Sequence, residues 1–197
     1  MASFKLQVPQ HRELTGGDLL AQCLRELGVK LAFGLHGGHL DAFLMGCEDI
    51  GIQLIDTRHE TAAVQAAEGY SKVTGEVGTC FVTANSGFVL NFRPCLVYSD
   101  SMSRFSNGIP GLATAFADRS SIFCITSSAP LRDAETNCLQ GIHDQVVASK
   151  PITKFAHRVT QAEEIPRLVA HAFRTAIAGA PGKSDTSSAR ALLTETP

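Results

Sequence analysis

Glu60 is the residue whose type and position most directly suggest chemistry. It lies in Asp56–Gly75, which begins where the apolar, strand-like run Ile52–Ile55 gives way to charged residues. Small and apolar residues then recur at helical spacing, which predicts a helix with Glu60 in its first turn. The predicted packing face of this helix comprises Ala62, Ala63, Ala66, Ala67 and Tyr70.

The carboxyl group of Glu60 has two interpretations. A carboxylate in the first turn can simply complement the dipole of the helix. Alternatively, it is a buried carboxyl group presented to a ligand, because ligands of open α/β sheets bind at the carboxyl ends of the strands. The residues of the segment alone do not decide between the two.

A glycine-rich turn is the second candidate. The predicted strand Val29–Phe33 runs directly into Gly34-Leu35-His36-Gly37-Gly38-His39, and a helix begins near Leu40. Glycines between a strand and a helix let the backbone approach a ligand closely. The turn is not a dinucleotide-binding fingerprint, since the third glycine and its spacing are missing. It is therefore either a ligand loop or a tight turn.

Strands and helices alternate along the rest of the chain. Thr15, with Asp18 three residues later, is the predicted N-cap of a first helix that ends at Gly28. Further strands are predicted over 78–83, 121–126 and 151–157, and further helices over 109–117 and 163–177. This alternation predicts one α/β domain with a largely parallel sheet flanked by helices.

Composition narrows the class of protein. The 197 residues are 44% hydrophobic and 18% charged, with a formal net charge of −2. These values argue against nucleic-acid or membrane partners. No segment approaches the roughly 18 apolar residues of a membrane span, and the first twelve residues lack a signal-peptide core, so a cytoplasmic location is expected. Six cysteines without Cys-x-x-Cys spacing suggest reduced thiols and no metal site.

Four motifs together resemble a known family. In chain order they are Thr15–Leu19, Phe33–Gly38, Arg58–Glu60 and Ala66–Tyr70. They resemble the N-terminal, pyrimidine-binding domain of thiamine-diphosphate enzymes of the acetolactate-synthase-like group. The 34–39 turn, together with 131–137 and 151–154, is most similar to benzaldehyde lyase and its carboligase relatives. The resemblance implies a C–C lyase or carboligase that acts on 2-keto or 2-hydroxy carbonyl compounds.

The resemblance also implies roles for individual residues. The residue matching Glu60 bonds to the pyrimidine ring nitrogen and favours the imino tautomer, which removes the thiazolium proton. His39 and Gln140 match side chains that face the reacting carbonyl; otherwise they are a helix-start histidine and a surface amide. Gly37, Gly38 and Gly87 would contact the cofactor together with Glu60. His59 is expected to orient its neighbours rather than to catalyse.

One segment departs from the family pattern inside the domain. The family continues from a stretch like Val82–Phe88 straight into one like Ser106–Leu112, whereas 17 residues, Val89–Phe105, lie between them here. This insert contains proline and several serines and has no periodicity, so it is expected to be poorly ordered and outside the sheet. It is either a genuine loop insertion or an unspliced short intron.

The expected domain runs from 14 to 182, after a lead-in of residues 1–13. Beyond Gly182 the family enters an apolar strand and a linker, but here the tail 183–197 is polar. It is expected to be disordered, or to be the product of translation in the wrong frame. The family's Gly-Asp-Gly segment, which holds Mg²⁺ and the diphosphate, is absent, so the chain is expected to be inactive alone. Family members form homodimers or homotetramers. The rival interpretation is a non-catalytic remnant or interaction module from a truncated or mis-spliced gene.

Overall fold

The computed structural model describes residues 14–83, 104–127, 144–178 and 190–195. The strands are β1 Leu31–Gly34, β2 Gln53–Asp56, β3 Gly78–Val82, β4 Ile122–Ser127, β5 Phe155–Arg158 and β6 Arg190–Glu195. The helices are α1 Gly16–Glu26, α2 Asp41–Ile50, α3 Glu60–Thr74, α4 Arg104–Ala117, α5 Gln145–Ser149 and α6 Ile165–Ile177. Short 3-10 turns cover Gly38–Leu40, Lys150–Ile152 and Ala162–Glu164.

The six strands form one sheet in the order β2-β1-β3-β4-β6-β5, and every neighbouring pair is parallel. The prediction of an α/β domain with a parallel sheet flanked by helices is thus confirmed. The carboxyl ends of all the strands meet at the same edge of the sheet, where the loops that precede α2, α3 and α5 also start.

Both faces of the sheet are covered by helices. One apolar cluster joins α1, α2 and α6 to Phe81 of β3 and Phe123 of β4. The other joins Val64 and Ala67 of α3 and Leu112 of α4 to Cys80 and Val82 of β3. Neighbouring residues of β3 therefore face opposite clusters, and β3 and β4 are buried along their whole length, as central strands of parallel sheets are.

The first helix begins where its capping residues predict. The backbone N–H of Thr15 donates to Asp18 Oδ2 at 2.8 Å, and Asp18 N–H donates to Thr15 Oγ1 at 3.3 Å. This reciprocal pair satisfies two amide groups that the helix itself leaves unpaired. A Cβ on Gly17 would lie 2.4 Å from the backbone nitrogen of Phe43, so α1 and α2 pack with their backbones close together.

One strand and one helix begin at residues other than those predicted. Pro151 lies in a 3-10 turn and β5 starts only at Phe155, because proline cannot donate to a strand ladder. Helix α4 starts at Arg104, five residues before the predicted start, and includes the last two residues of the predicted insert. The remainder of that insert, 89–103, lies outside the described residues.

The end of the chain contains a strand. Arg190–Glu195 form β6, which pairs with β4 on one side and with β5 on the other. The expectation of disorder over 183–197 is therefore wrong for these six residues. The strand was not predicted because its short apolar run, Ala191–Leu193, follows the polar run Lys183–Ser188. Hydrogen bonds to the two neighbouring strands stabilise β6. An apolar strand beyond Gly182 is what the family resemblance requires.

Among the described helices, none has the length and apolar character needed to cross a membrane.

Candidate functional site at the carboxyl edge of the sheet

The glycine-rich turn and the start of α3 are held together by neighbouring strands. Gly34 and Asp56 are register partners at the ends of β1 and β2. Beyond β2, Thr57 donates to the Gly34 carbonyl twice, from its backbone N–H at 2.8 Å and from Oγ1 at 3.1 Å. The loop that leads to Glu60 is thereby tied to the first residue of the glycine-rich turn.

Helix α3 begins at Glu60, as its spacing predicts. The residue before it, His59, is the N-cap, and its Nδ1 accepts a hydrogen bond from the Thr61 N–H at 3.2 Å. That nitrogen must be unprotonated to accept. The imidazole therefore fixes the start of the helix, which agrees with the orienting role expected for His59.

Glu60 is buried, with 3% of its surface exposed. Its Oε2 accepts a hydrogen bond from the side-chain amide of Asn107 at 3.2 Å. A carboxylate that merely complements a helix dipole gains nothing from leaving water, since burying a charged group costs free energy unless it is paired or protonated. The burial of Glu60 is thus the feature that sets it apart from an ordinary first-turn glutamate.

Helix α3 is joined to α4 and to the residues just beyond it. At the start of α3, Thr61 Oγ1 donates to the backbone carbonyl of Asn107. Further along α3, the buried Glu68 accepts at 3.0 Å from Oγ of Ser120, three residues past the end of α4, and pairs within α3 with Lys72 at 3.1 Å. These contacts fix α3 along its length and hold Glu60 in place.

The middle of the α3–α4 contact depends on glycine. A Cβ on Gly111 of α4 would lie 2.8 Å from Cβ of Val64, so the two helices approach closely only because Gly111 has no side chain. Pro110, also inside α4, has no N–H to donate to the carbonyl of the preceding turn. Asn107 lies in that preceding turn, at the point where α4 meets the start of α3.

The two glycines proposed to contact a cofactor have different surroundings. A Cβ on Gly37 would lie 2.4 Å from Thr83 Oγ1, whereas a Cβ on Gly38 would meet no atom within 4 Å. Gly37 is therefore required for packing against the end of β3, and Gly38 leaves open space beside the turn. His39 follows in the 3-10 turn Gly38–Leu40, where its side chain is not described.

His36 lies on the outer side of the same turn. Its Nε2 is 2.8 Å from Asp41 Oδ1, and both side chains are more than half exposed, so the pair adds little stability. They border a surface cavity of about 470 Å³ that is also lined by Leu44, Leu54 and Phe81. Glu60 does not line this cavity, which opens between α2 and β2.

Gln140 and Gly87, two further candidate residues, lie outside the described residues. The residues that flank the Gln140 segment are described. Gln145 Nε2, at the start of α5, donates to the carbonyl of Ser127 at 3.1 Å, at the end of β4. Ser127 Oγ in turn lies 3.3 Å from Thr83 Oγ1. A polar network thus links the ends of β3 and β4 to the far side of the segment that contains Gln140.

Sequence reasoning did not assign Asn107, although it noted the segment around it. Asn107 is 47 residues from Glu60 along the chain and adjoins the predicted insert, so no local spacing connects the two. The available signal was indirect: an amide side chain between Ser106 and a glycine, just before the predicted helix 109–117.

The site defines a class: a parallel-sheet domain that presents a buried carboxyl group at the first residue of a helix on the carboxyl edge of its sheet. Residues 14–96 match the family described as thiamine pyrophosphate enzyme, N-terminal TPP binding domain. These residues belong to this family, whose members use thiamine diphosphate, another name for thiamine pyrophosphate. The matched range includes the first residues of the predicted insert.

Comparison with individual proteins points to the same family. The chain is 34% identical over 176 residues to 2-hydroxyacyl-CoA lyase 2 of Danio rerio, a match that covers 89% of this chain and 25% of that protein. It is 32% identical over 169 residues to a probable acetolactate synthase large subunit of Methanocaldococcus jannaschii, covering 86% and 26%. The human 2-hydroxyacyl-CoA lyase 2 is 31% identical over 167 residues, covering 85% and 24%. The chain spans about a quarter of the length of these relatives.

Proposed function

We propose that Glu60 binds the aminopyrimidine half of thiamine diphosphate, in an enzyme that makes or breaks the C–C bond beside the carbonyl of a 2-keto or 2-hydroxy compound. The proposal is supported most directly by the burial of Glu60 next to Asn107 at the carboxyl edge of the sheet.

The residues present fit the pyrimidine half of the cofactor. A buried carboxyl group can exchange a proton with a ring nitrogen, and its burial keeps water from competing for that proton. When bound, the cofactor supplies the carbon that attacks a carbonyl. Glu60 holds the proton, His59 fixes the first turn of α3, and α4 closes one side of the carboxyl group.

The diphosphate and Mg²⁺ belong, in this proposal, to a part of the site outside the described residues. Within residues 14–83, 104–127, 144–178 and 190–195, no group of three or more His, Cys, Asp or Glu side chains could hold a metal ion. In this proposal the described residues supply the pyrimidine side of the site.

For the substrate side, we propose that His39 and Gln140 face the reacting carbonyl as proton-relay and hydrogen-bonding groups, and that Gly37, Gly38 and Gly87 shape the cofactor contact. The open space beside Gly38 supports this. The relatives named for lyase and acetolactate synthase activity support a carbonyl substrate. The Gly34–His39 turn, which resembles that of benzaldehyde lyase, keeps carboligase chemistry within this proposal beside lyase chemistry.

The test is a titration of the 15N-labelled 197-residue chain with thiamine, followed by NMR. We expect shifts at the amides of Glu60 and Thr61 and millimolar affinity, because a hydrogen bond to a charged group contributes about 1.5–3 kcal/mol whereas micromolar affinity needs about 8. The matched control is the thiamine analogue with CH in place of the ring nitrogen that faces Glu60.

We expect that analogue to bind about 10-fold or more weakly, in line with the loss of one such hydrogen bond. Equal binding of both compounds would contradict the role of Glu60. No shift near α3 with either compound would favour the rival, a non-catalytic remnant or interaction module.

We further propose that two copies associate through α3. Beyond its buried face, α3 leaves Ala62 and Val73 exposed, and Val73 is 87% exposed. Members of the family that the sequence resembles form dimers or tetramers, which suggests that this exposed stripe is a contact between copies. Sedimentation velocity is expected to show a dimer fraction that grows with concentration and falls in Val73→Lys. Val147→Lys, at an exposed valine outside α3, is the control for added charge. A monomer at every concentration would contradict the proposal.

A cytoplasmic location remains a proposal, supported by the state of the thiols. Cys23, Cys47, Cys80 and Cys124 are free, and the last three are buried. Burial, with a smaller contribution from Glu48, raises the pKa of Cys47 to about 12. A hydrogen bond with Cys124, together with burial, also raises the pKa of the Cys80 thiol. Protonated, unpaired thiols of this kind suit a reducing compartment.

A further inference from the structure

We infer that Asn107 is a positioning residue for Glu60: it holds Oε2 as a hydrogen-bond acceptor and so directs the exchangeable proton of the carboxyl group to Oε1. The inference rests on the proposed function, because it concerns the same carboxyl group and the ligand that would share its proton.

The donor and acceptor groups of the Asn107–Glu60 contact indicate which carboxyl oxygen carries the proton. The side-chain nitrogen of Asn107 donates to Glu60 Oε2 at 3.2 Å. An amide NH₂ group can donate but cannot accept. In a protonated carboxyl group the carbonyl oxygen is a better acceptor than the hydroxyl oxygen. The Asn107 donor on Oε2 therefore favours the form of Glu60 that carries its proton on Oε1.

The placement of Asn107 makes the contact persistent. Its backbone carbonyl accepts from Thr61 Oγ1, so Asn107 meets both the first and the second residue of α3. One helical turn further along α4, Gly111 packs against Val64 with no intervening side chain. The close packing of Gly111 on Val64 holds this part of α4 against α3, so the amide of Asn107 stays within reach of Glu60.

A measurement without ligand tests the contact itself. The side-chain NH₂ signals of Asn107, assigned by their loss in Asn107→Leu, are compared by NMR in the isolated wild-type chain and in Glu60→Ala. We expect one NH₂ proton to exchange slowly with water in the wild type, because it donates to Glu60 Oε2, and we expect this protection to be lost in Glu60→Ala. NH₂ signals with the same shifts and exchange rates in both proteins would overturn the inference.

A double-mutant cycle tests the consequence for binding. Asn107→Leu is expected to weaken thiamine binding about 5- to 10-fold in the wild-type background and less than 2-fold in Glu60→Gln, because neighbours that act as a unit are not additive. Thr61→Val removes the other contact with Asn107. It is expected to lower the melting temperature but to leave thiamine affinity within 2-fold.

These experiments distinguish failure of the role inferred for Asn107 from failure of the proposed function. Equal loss of affinity from Asn107→Leu in both backgrounds, or a comparable loss in Thr61→Val, would show that Asn107 acts only through the packing of α4. If thiamine binds neither the wild type nor the variants, the proposed function fails, while the NH₂ signals of Asn107 still decide whether Asn107 donates to the Glu60 carboxyl group.

Discussion

Glu60→Gln is expected to lower kcat by a factor of about 10²–10⁴ in a catalytically active form of the protein, which is the usual contribution of a positioned proton-transfer group. Glutamine has nearly the same shape, and its side-chain oxygen can still accept from Asn107, so the fold should be kept. It cannot exchange a proton with a ring nitrogen. The assay is steady-state cleavage or formation of a 2-hydroxy carbonyl compound, with thermal unfolding measured in parallel.

The control for this substitution is Glu68→Gln. Glu68 is also buried in α3, with 4% of its surface exposed, but it pairs with Ser120 and Lys72 at the far end of the helix. We expect Glu68→Gln to reduce stability slightly and to leave kcat within about 3-fold, since Lys72 is 47% exposed and Glu68 lies about two helical turns from Glu60. Similar kcat values for Glu60→Gln and the wild type would refute the assignment of Glu60.

Gly78→Ala is expected to destabilise the domain by about 3–5 kcal/mol, at the upper end of single substitutions. Gly78 begins β3 where α3 crosses it, and an added Cβ would lie 1.9 Å from the carbonyl oxygen of Ala67. That atom belongs to the backbone of α3, so no rotamer change relieves the overlap and the helix must move. Because α3 also carries Glu60, any folded Gly78→Ala protein should bind thiamine more weakly.

Gly69→Ala is the matched control, since Gly69 lies within α3 and a Cβ there would meet no atom within 4 Å. Alanine stabilises a helix interior by about 1 kcal/mol relative to glycine. Thermal unfolding should therefore show the melting temperature falling by about 10 °C for Gly78→Ala and rising by about 2 °C for Gly69→Ala. Equal melting temperatures for Gly78→Ala and the wild type would show that α3 and β3 are not in such close contact.

The location of Glu60 could be predicted from the sequence because all the relevant information is local. An apolar strand, a short polar loop and a helical repeat follow one another within about 20 residues, and each has a periodicity of its own. The glycine-rich turn was found for the same reason. The structure places both at the ends of adjacent strands, as the rule for parallel sheets requires.

The packing of α3 was predicted less well. Ala63 and Ala67 are buried as expected, but Ala62 is exposed, and the buried face continues through Val64 and Glu68. Hydropathy cannot select Glu68, because its burial depends on Ser120 and Lys72 rather than on an apolar side chain. Asn107 was missed for a related reason: its partner is set by the crossing of two helices, which a single sequence does not display.

The position of β6 has a consequence for how the chain is made. Strand β5 pairs only with β6 among the described strands, and β6 also separates it from β4. About 30 residues divide β5 from β6 along the chain. During synthesis, β5 and α6 leave the ribosome before the strand that joins them to the sheet. The half of the sheet that carries Glu60, in contrast, needs only β1 to β4 and can assemble while that strand is still being translated.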